Sequence, residues 1–359
     1  MATPPSGPEL AAPDGGVHEP ARQSGGAQEP PPLPRRRWII HSKSLALAAL
    51  AGLLGFLLAE AAVRVLAPAR EVGASFSEYD PYYGKRLKTS VSLERTTPEF
   101  TMRLTTNSLG FRGPEPEGDP RGALLFFGDS FTMGYGVDDG SEFPEIVRRA
   151  LGVPVVNAGI GDSGTGRWLK FLARDAPRFE PRLVVLQLQQ NDVADNRRER
   201  LFSLDAQGSL VELAPPPPDI ARRLQRWIDA VPGLSSMHLV AKLHQALRAP
   251  RQPGAFAPLP GAAQGPEPPD PLTLAIVEAA LARCGERGWP VIGLLAEVRG
   301  EHARALTGLF VRRGYPVLVV PPKPERPDLY FAIDGHWNAA GHRFAAEMLL
   351  AELRRQGDP

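Results

Sequence analysis

The sequence predicts a doubly wound α/β domain, a mainly five-stranded parallel sheet with helices on both faces, preceded by one transmembrane helix. Three observations carry this. From Ala123 onward short apolar runs alternate with helical stretches, the pattern of a parallel sheet with crossover helices. Several of those runs stop at turns rich in Gly, Asn and Asp, at the sheet edge where open α/β folds place their ligands. A single long apolar stretch stands apart near the N-terminus, between Trp38 and Leu66.

Residues 1 to about 34 are Pro, Gly, Ala, Glu and Gln with scarcely a large apolar side chain. Such a segment cannot bury enough surface to offset its ordering entropy, so residues 1–37, closed by Arg35-Arg36-Arg37, are expected to form a disordered cytoplasmic tail. The apolar run from Leu45 to Ala59 alone is short of the ~30 Å hydrocarbon core at ~1.5 Å per residue. Extending it to Leu66 spans the core and includes Glu60 and Arg64, which are four apart on one helix face, can pair, and can snorkel near the end. All-round apolarity argues against an ordinary buried helix. Ala59-Glu60-Ala61 loosely fits a signal-peptidase site, but the n-region would be unusually long, so an uncleaved signal anchor over 38–66 is preferred. The Arg cluster and Lys43 precede the span, which places the tail in the cytoplasm and all that follows Leu66 outside.

Residues 67–120 read as a membrane-proximal extension with short strands. Tyr79–Gly84 is a turn, Ser90–Leu104 alternates as one or two strands, and Asn107-Ser108-Leu109-Gly110-Phe111-Arg112-Gly113 is turn-rich. Its aromatic residues suggest packing on the domain of residues 121–356. There the expected strands are Ala123–Phe127, Val153–Asn157, Leu183–Gln187, Pro290–Leu295 and Pro316–Val320. The expected helices are Pro144–Leu151, Thr165–Arg174, Ile220–Leu247, Leu272–Arg287, Glu301–Arg313 and a last one to Arg355. Residues 248–271 are too Pro-rich and too long for an ordinary connection and are expected to be a mobile surface loop.

Composition excludes more than it assigns. Lys and Arg number 41 against 40 Asp and Glu, so there is no electrostatic footprint for nucleic acid. Cys284 is the only cysteine, which rules out an intrachain disulfide, and it reads as a small buried hydrophobe. No cluster has metal-ligand spacing, so neither a metal nor another cofactor is expected.

Four polar blocks fall at expected strand ends: Gly128-Asp129-Ser130, Asn157 to Thr165, Gln189-Gln190-Asn191-Asp192, and Asp334-Gly335-His336 just before the last helix. Taken alone, Ser130 is as good a helix cap as a nucleophile. In a doubly wound sheet, however, these ends meet at one edge. That edge would then hold a hydroxyl, a base near neutral pH, an acid to fix the base's tautomer, and amide donors for an oxyanion: the parts of acyl transfer.

The four blocks, in this order, resemble the SGNH (GDSL-type) hydrolase superfamily over about residues 121 to 356. The anchor and the Asn107–Gly113 stretch resemble its membrane-anchored bacterial members. The resemblance implies a flavodoxin-like sheet with Ser130 as nucleophile, His336 as base and Asp334 as its partner. It also implies an oxyanion hole from Asn191, the backbone N–H of Ser130, and one in the Gly161–Asp162 turn. The chain departs from the pattern in three places. Gln190 stands where the family has Gly, and Asp162, five residues after Asn157, stands where the Gly donor is expected. The acid and base are spaced Asp-x-His rather than Asp-x-x-His. That spacing, followed by Trp337 and Asn338, resembles SGNH-like O-acetyltransferases of alginate.

The expected function is therefore an extracytoplasmic serine esterase acting on an ester or acylated glycan. An O-acyltransferase acting on an envelope or secreted polysaccharide and a non-catalytic glycan- or protein-binding module are the alternatives. Of the remaining candidates, His342 is expected to cap or pack the last helix and Asp129 to be a structural turn residue. Asp192, Asp195 and Asn196 are expected in a solvated loop, Trp337 either lining the pocket or packing, and His238 and His244 as packing or surface residues.

Overall fold

Five short runs, dominated by Val, Leu and Phe, form the centre of the fold: β1 (Leu124–Phe127), β2 (Val155–Asn157), β3 (Leu183–Gln189), β4 (Val291–Ala296) and β5 (Val317–Val320). The computed structural model describes residues 35–116, 118–248 and 268–357, so the N-terminal tail up to residue 34 and most of the Pro-rich loop lie outside the described residues. All five strands are parallel, in the order β2-β1-β3-β4-β5, with Leu124 opposite both Val155 and Leu183. This is the flavodoxin-like order, and its switch point lies between β1 and β3.

Successive side chains of a strand point to opposite faces, and here both faces are covered, which is why the runs are continuous rather than alternating. Leu125, Phe127, Val184 and Leu186 pack under the helices Gly166–Arg174, Pro271–Glu286 and Gly300–Val311. Leu124, Phe126, Leu183 and Val185 pack on the other face against Phe143–Leu151 and Ala339–Gln356. Each fully buried Leu or Phe contributes on the order of 2 kcal/mol. Local chemistry sets the helix starts. Asp270 accepts from Thr273 N at 2.8 Å ahead of Pro271, and Asn338 Oδ1 accepts from Ala340 N at 2.8 Å and Gly341 N at 3.1 Å.

The extension of residues 67–120 forms an antiparallel hairpin, Ser92–Thr96 with Thr101–Thr105. Met102 and Leu104 from it join Phe76, Leu87, Met133 and Ile160 in a third apolar cluster. The extension thus packs on the chain just after Ser130.

Two expectations need correction. The helix expected over Ile220–Leu247 is two, Ile220–Ala230 and His238–Arg248. Pro232 cannot supply the helical N–H and its ring opposes the preceding turn, while Gly233 is left-handed at φ 77. Asp192, Asp195 and Asn196 are not in a solvated loop but are buried on a helix, Asp192–Glu199. The long apolar helix begins at Arg35 and not at residue 38, so Arg35-Arg36-Arg37, expected in the tail, are helical; the other expected elements appear with ends shifted by a residue or two, as fraying ends allow.

The described residues up to Phe56 form one compact unit and those from Leu57 another. The helix Arg35–Leu66 contains one stretch, Ser42–Leu66, long and apolar enough to cross a membrane.

His342 lies fully buried at the start of the last helix, 6.3 Å from the Phe143 ring and 5.7 Å from that of Trp337, centroid to centroid. Burial pushes its pKa down to about 3, with the charges of Arg112 and His336 adding to the effect. A histidine held neutral in the fold but free to protonate when unfolded stabilises the protein fully above pH ~6.5, and that contribution is lost as pH falls toward 3. Between pH 7 and pH 4.5 the loss is about 2–3 kcal/mol. Urea unfolding of His342→Leu is expected to show a pH dependence smaller by about this amount; an unchanged difference from wild type would refute it.

Candidate active site

At the end of β1 the chain turns into a short helix, Ser130–Met133, and Gly128 makes the turn possible. A Cβ at Gly128 would lie 2.1 Å from Thr132 Oγ1 and 2.2 Å from Gln187 Oε1. Asp129 caps the helix, its Oδ1 accepting from Phe131 N at 2.9 Å, which sets Ser130 at the first helical position. The Ser130 hydroxyl lies 2.6 Å from His336 Nε2.

His336 is held on its other nitrogen. Nδ1 is hydrogen-bonded to Asp334 Oδ1, and the His336 backbone N–H donates to the same oxygen at 3.3 Å. The two-residue spacing works because Gly335 between them is left-handed, at φ 86, so the chain doubles back. Burial pushes the Asp334 carboxyl up, but the hydrogen bond and charge of His336 outweigh it and hold the group below its usual range. The imidazole is flanked by the rings of Phe131 at 5.1 Å and Tyr135 at 4.8 Å. Trp337 is fully buried against Phe131 and packs, rather than lining an open pocket.

The turn after β2 runs beside this group. Gly159 lets it approach, since a Cβ there would come 2.3 Å from Met133 N, and one on Gly161 would lie 3.6 Å from Ser130 Cβ. Asp162 occupies the left-handed region at φ 54. That conformation favours Gly, and Asp is among the few residues with a side chain that tolerate it. Lys85 Nζ donates to the carbonyls of Gly161 at 2.8 Å and Asp162 at 2.9 Å, and Arg198 donates to the latter at 2.7 Å. Burial pushes the Lys85 ammonium down to about 8, against the raising charges of Asp162 and Glu199. Further along the loop, Glu199 Oε2 accepts from Gly164 N and Asn196 Oδ1 from Gly166 N, each at 3.1 Å. The loop is therefore held both by its carbonyls and by its N–H groups.

Asn191 lies at the end of β3, where its Nδ2 donates to Asp129 Oδ2 at 3.0 Å. Asp129 is buried, which pushes its carboxyl up against the lowering hydrogen bonds from Phe131 N and Asn191. The structure thus brings Ser130, His336 and Asp334 into one hydrogen-bonded series, with Gly161 against Ser130 and Asn191 joined to the turn through Asp129. Gln190 occupies the turn before Asn191.

Sequence reasoning missed the residues that hold this arrangement from outside. Arg112, fully buried, donates to Met133 O at 3.0 Å, Gly134 O at 2.6 Å, Val137 O at 2.7 Å and Arg103 O at 3.2 Å, and reaches the Asp139 carboxylate. Glu99 accepts from the backbone N–H groups of Ile333 and Asp334. The available signal was a cation inside the turn-rich Asn107–Gly113 stretch, next to Phe111. His238 and His244 lie away from the series. His244 is buried with Nε2 3.2 Å from Ala221 O, and His238 Nδ1 accepts from Ala69 N at 3.0 Å. Among the described residues no group of three or more His, Cys, Asp or Glu side chains is placed to hold a metal ion.

A model of the GDSL-like lipase/acylhydrolase family matches residues 126–344, a span that holds all four polar blocks. Among solved structures, a G-D-S-L family lipolytic protein from Desulfitobacterium hafniense is similar at 10% identity over 64% of this chain and 98% of that one, with TM-score 0.34. A GDSL-like lipase from Bacteroides thetaiotaomicron is similar at 13% identity over 68% and 93%, with TM-score 0.35. An acetylxylan esterase catalytic mutant from Geobacillus stearothermophilus is similar at 13% identity over 64% and 93%, with TM-score 0.36. No curated protein matches the chain.

Replacing Arg112 by Met is expected to leave four carbonyls and the facing Asp139 and Glu142 carboxylates without their cation, at a cost of about 3–5 kcal/mol. Urea unfolding at neutral pH measures this, and a loss below about 1 kcal/mol would show that Arg112 does not hold the loop.

Proposed function

We propose, for a chain that belongs to the GDSL-like lipase/acylhydrolase family, that it hydrolyses an O-acyl ester through a covalent intermediate on Ser130. The domain is held outside the cytoplasm by the N-terminal helix. The observation that carries the proposal is the series Ser130 Oγ–His336 Nε2, 2.6 Å, continued from His336 Nδ1 to Asp334.

Each part has a chemical task. An ionised Asp334 on Nδ1 fixes the tautomer in which that nitrogen carries the proton, leaving the Nε2 lone pair toward the serine. His336 takes the Ser130 proton as Oγ attacks the ester carbonyl, then gives it to the departing alkoxide. The negative charge that develops on the carbonyl oxygen needs donors in place beforehand. The Ser130 N–H, an N–H of the Gly161–Asp162 turn and the Asn191 amide are assigned to it. Gly161 lies against Ser130, which favours the second. Asn191 Nδ2 carries two hydrogens, and only one is needed for Asp129. Water, deprotonated by the same histidine, then releases the acid and frees Ser130. The Lys85 and Arg198 bonds to the turn carbonyls keep the turn from relaxing as charge builds, and they offset the exposed Asp162 carboxylate.

Membrane attachment rests on the Ser42–Leu66 stretch, and its orientation on Arg35-Arg36-Arg37 lying ahead of it and Lys43 at its first turn. A second reading, transfer of the acyl group to a sugar hydroxyl, is favoured by one feature: the Asp334-Gly335-His336-Trp337-Asn338 run that resembles the alginate O-acetyltransferases. Time courses with an activated acetyl ester, with and without a glycan acceptor, separate the two. Hydrolysis is expected to proceed without acceptor; an acetylated glycan with little free acid would establish transfer.

A fluorophosphonate probe is expected to label the wild type and not Ser130→Ala, and the variant is expected to lose roughly 10³-fold or more in kcat/KM. Equal labelling of both proteins would remove Ser130 from the mechanism, and no labelling of either would favour a binding module. Asn191→Ala is expected to lower kcat by about 10²–10³-fold with KM little changed. An unchanged kcat would take Asn191 out of the oxyanion hole.

A further inference from the structure

The helices Ile220–Ala230 and His238–Arg248 are hydrogen-bonded to Glu60, Ala69, Glu71 and Ser75, and Ser235 between them accepts from Gly73 N at 2.9 Å. Each leaves an apolar stripe outward. Ile220 and Trp227 are 77% and 62% exposed on the first, and Leu243 and Leu247 are 59% and 56% exposed on the second. Spacings of seven and four residues put each pair on one helix face. A groove of about 550 Å³ opens between the second helix and the chain at Pro68–Arg70. Its apolar lining is Pro68, Leu239, Leu243 and Ala246, and Arg70 and Lys242 stand on it as cations.

The last turns of the long apolar helix fix this pair in place. Glu60 caps the second helix with both oxygens, accepting from His238 N at 2.9 Å and Leu239 N at 2.7 Å, and pairs with Arg64 at 3.2 Å. Counted along the helix from Leu45, a ~30 Å hydrocarbon core at ~1.5 Å per residue ends near Arg64. Glu60 is one turn inside that level. A helix that starts at its carboxylate therefore starts within about one turn of the boundary between hydrocarbon and headgroups.

We propose that this helix pair lies in the outer-leaflet interface of the membrane that the anchor crosses, with the groove holding an anionic phospholipid. One acyl chain lies against Leu239 and Leu243, and the phosphate pairs with Arg70 and Lys242. The occupant is a lipid because the groove begins at Pro68, two residues beyond the end of the apolar helix, because an exposed Trp suits the membrane interface, and because the flanking side chains are basic. The inference rests on the proposed membrane anchor.

The test uses the full chain in nanodiscs containing phosphatidylglycerol, with Cys284 replaced by Ala. Single spin labels are placed at Leu50→Cys, Trp227→Cys, Leu243→Cys and the exposed Val311→Cys. Relative accessibility to oxygen and to a nickel chelate reads depth. Labels at 50, 227 and 243 are expected to favour oxygen, and the label at 311 the chelate. If 227 and 243 match 311 while 50 favours oxygen, the interfacial placement is wrong and the anchor stands. If 50 also favours the chelate, the anchor fails and the placement with it. For the groove, native mass spectrometry of Arg70→Glu/Lys242→Glu is expected to retain at least fivefold less bound phosphatidylglycerol than wild type; equal retention would overturn the lipid site.

Discussion

Between the first and third strands of the sheet lies one buried carboxylate through which the site is assembled. Asp129 caps the turn that carries Ser130 with one oxygen and holds the Asn191 amide with the other. A charge taken out of water is costly unless its partners are good, and this one has a backbone N–H and a side-chain amide aimed at it. The penalty shows as a carboxyl pushed up from its usual range. In return, a strand end and its neighbour across the switch point are locked in register to each other. A substitution there would disturb Ser130 and Asn191 together.

The chain ahead of the sheet is part of this assembly and not a mere spacer. Its hairpin completes an apolar cluster with Met133 and Ile160, one from the short helix that Ser130 opens and one from the turn after β2. Arg112 ties the loop after Ser130, Lys85 ties the turn after β2, and Glu99 ties the loop that carries Asp334 and His336. Each of these side chains bonds to backbone, so it acts on the position of the peptide and leaves the reacting side chains free. Three loops, each following a strand of the sheet, are thus fastened to one preceding segment.

What was legible in the sequence follows from the range of the interaction concerned. The strands stood out because both faces of the sheet are covered and the runs are continuous. Ser130, Asn191, Asp334 and His336 stood out because strand order alone carries their blocks to one edge. The helix expected over Ile220–Leu247 is too long because helix-forming residues stand on both sides of Pro232-Gly233, and the pair between them ends the first helix. Asp192, Asp195 and Asn196 looked solvated because polarity in a sequence does not show its partners; burial becomes tolerable only through bonds such as Asp192 to Gln189 N and Asn196 to Thr273. The Lys85, Glu99 and Arg112 contacts could not be seen at all, since they depend on approach between segments far apart in the chain. At Asp162 the sequence raised a real anomaly, and the backbone explains it: the position requires a left-handed conformation that Asp can adopt.

The most direct test of the account is to catch the intermediate. Wild type mixed with an activated acetyl ester, quenched in acid within the first turnovers and mapped by peptide mass spectrometry, is predicted to carry one acetyl group on the peptide containing Ser130. The adduct should be absent from His336→Ala quenched at the same time. Turnover with no adduct, or an acetyl group on any other residue that forms and decays at the turnover rate, would contradict the account.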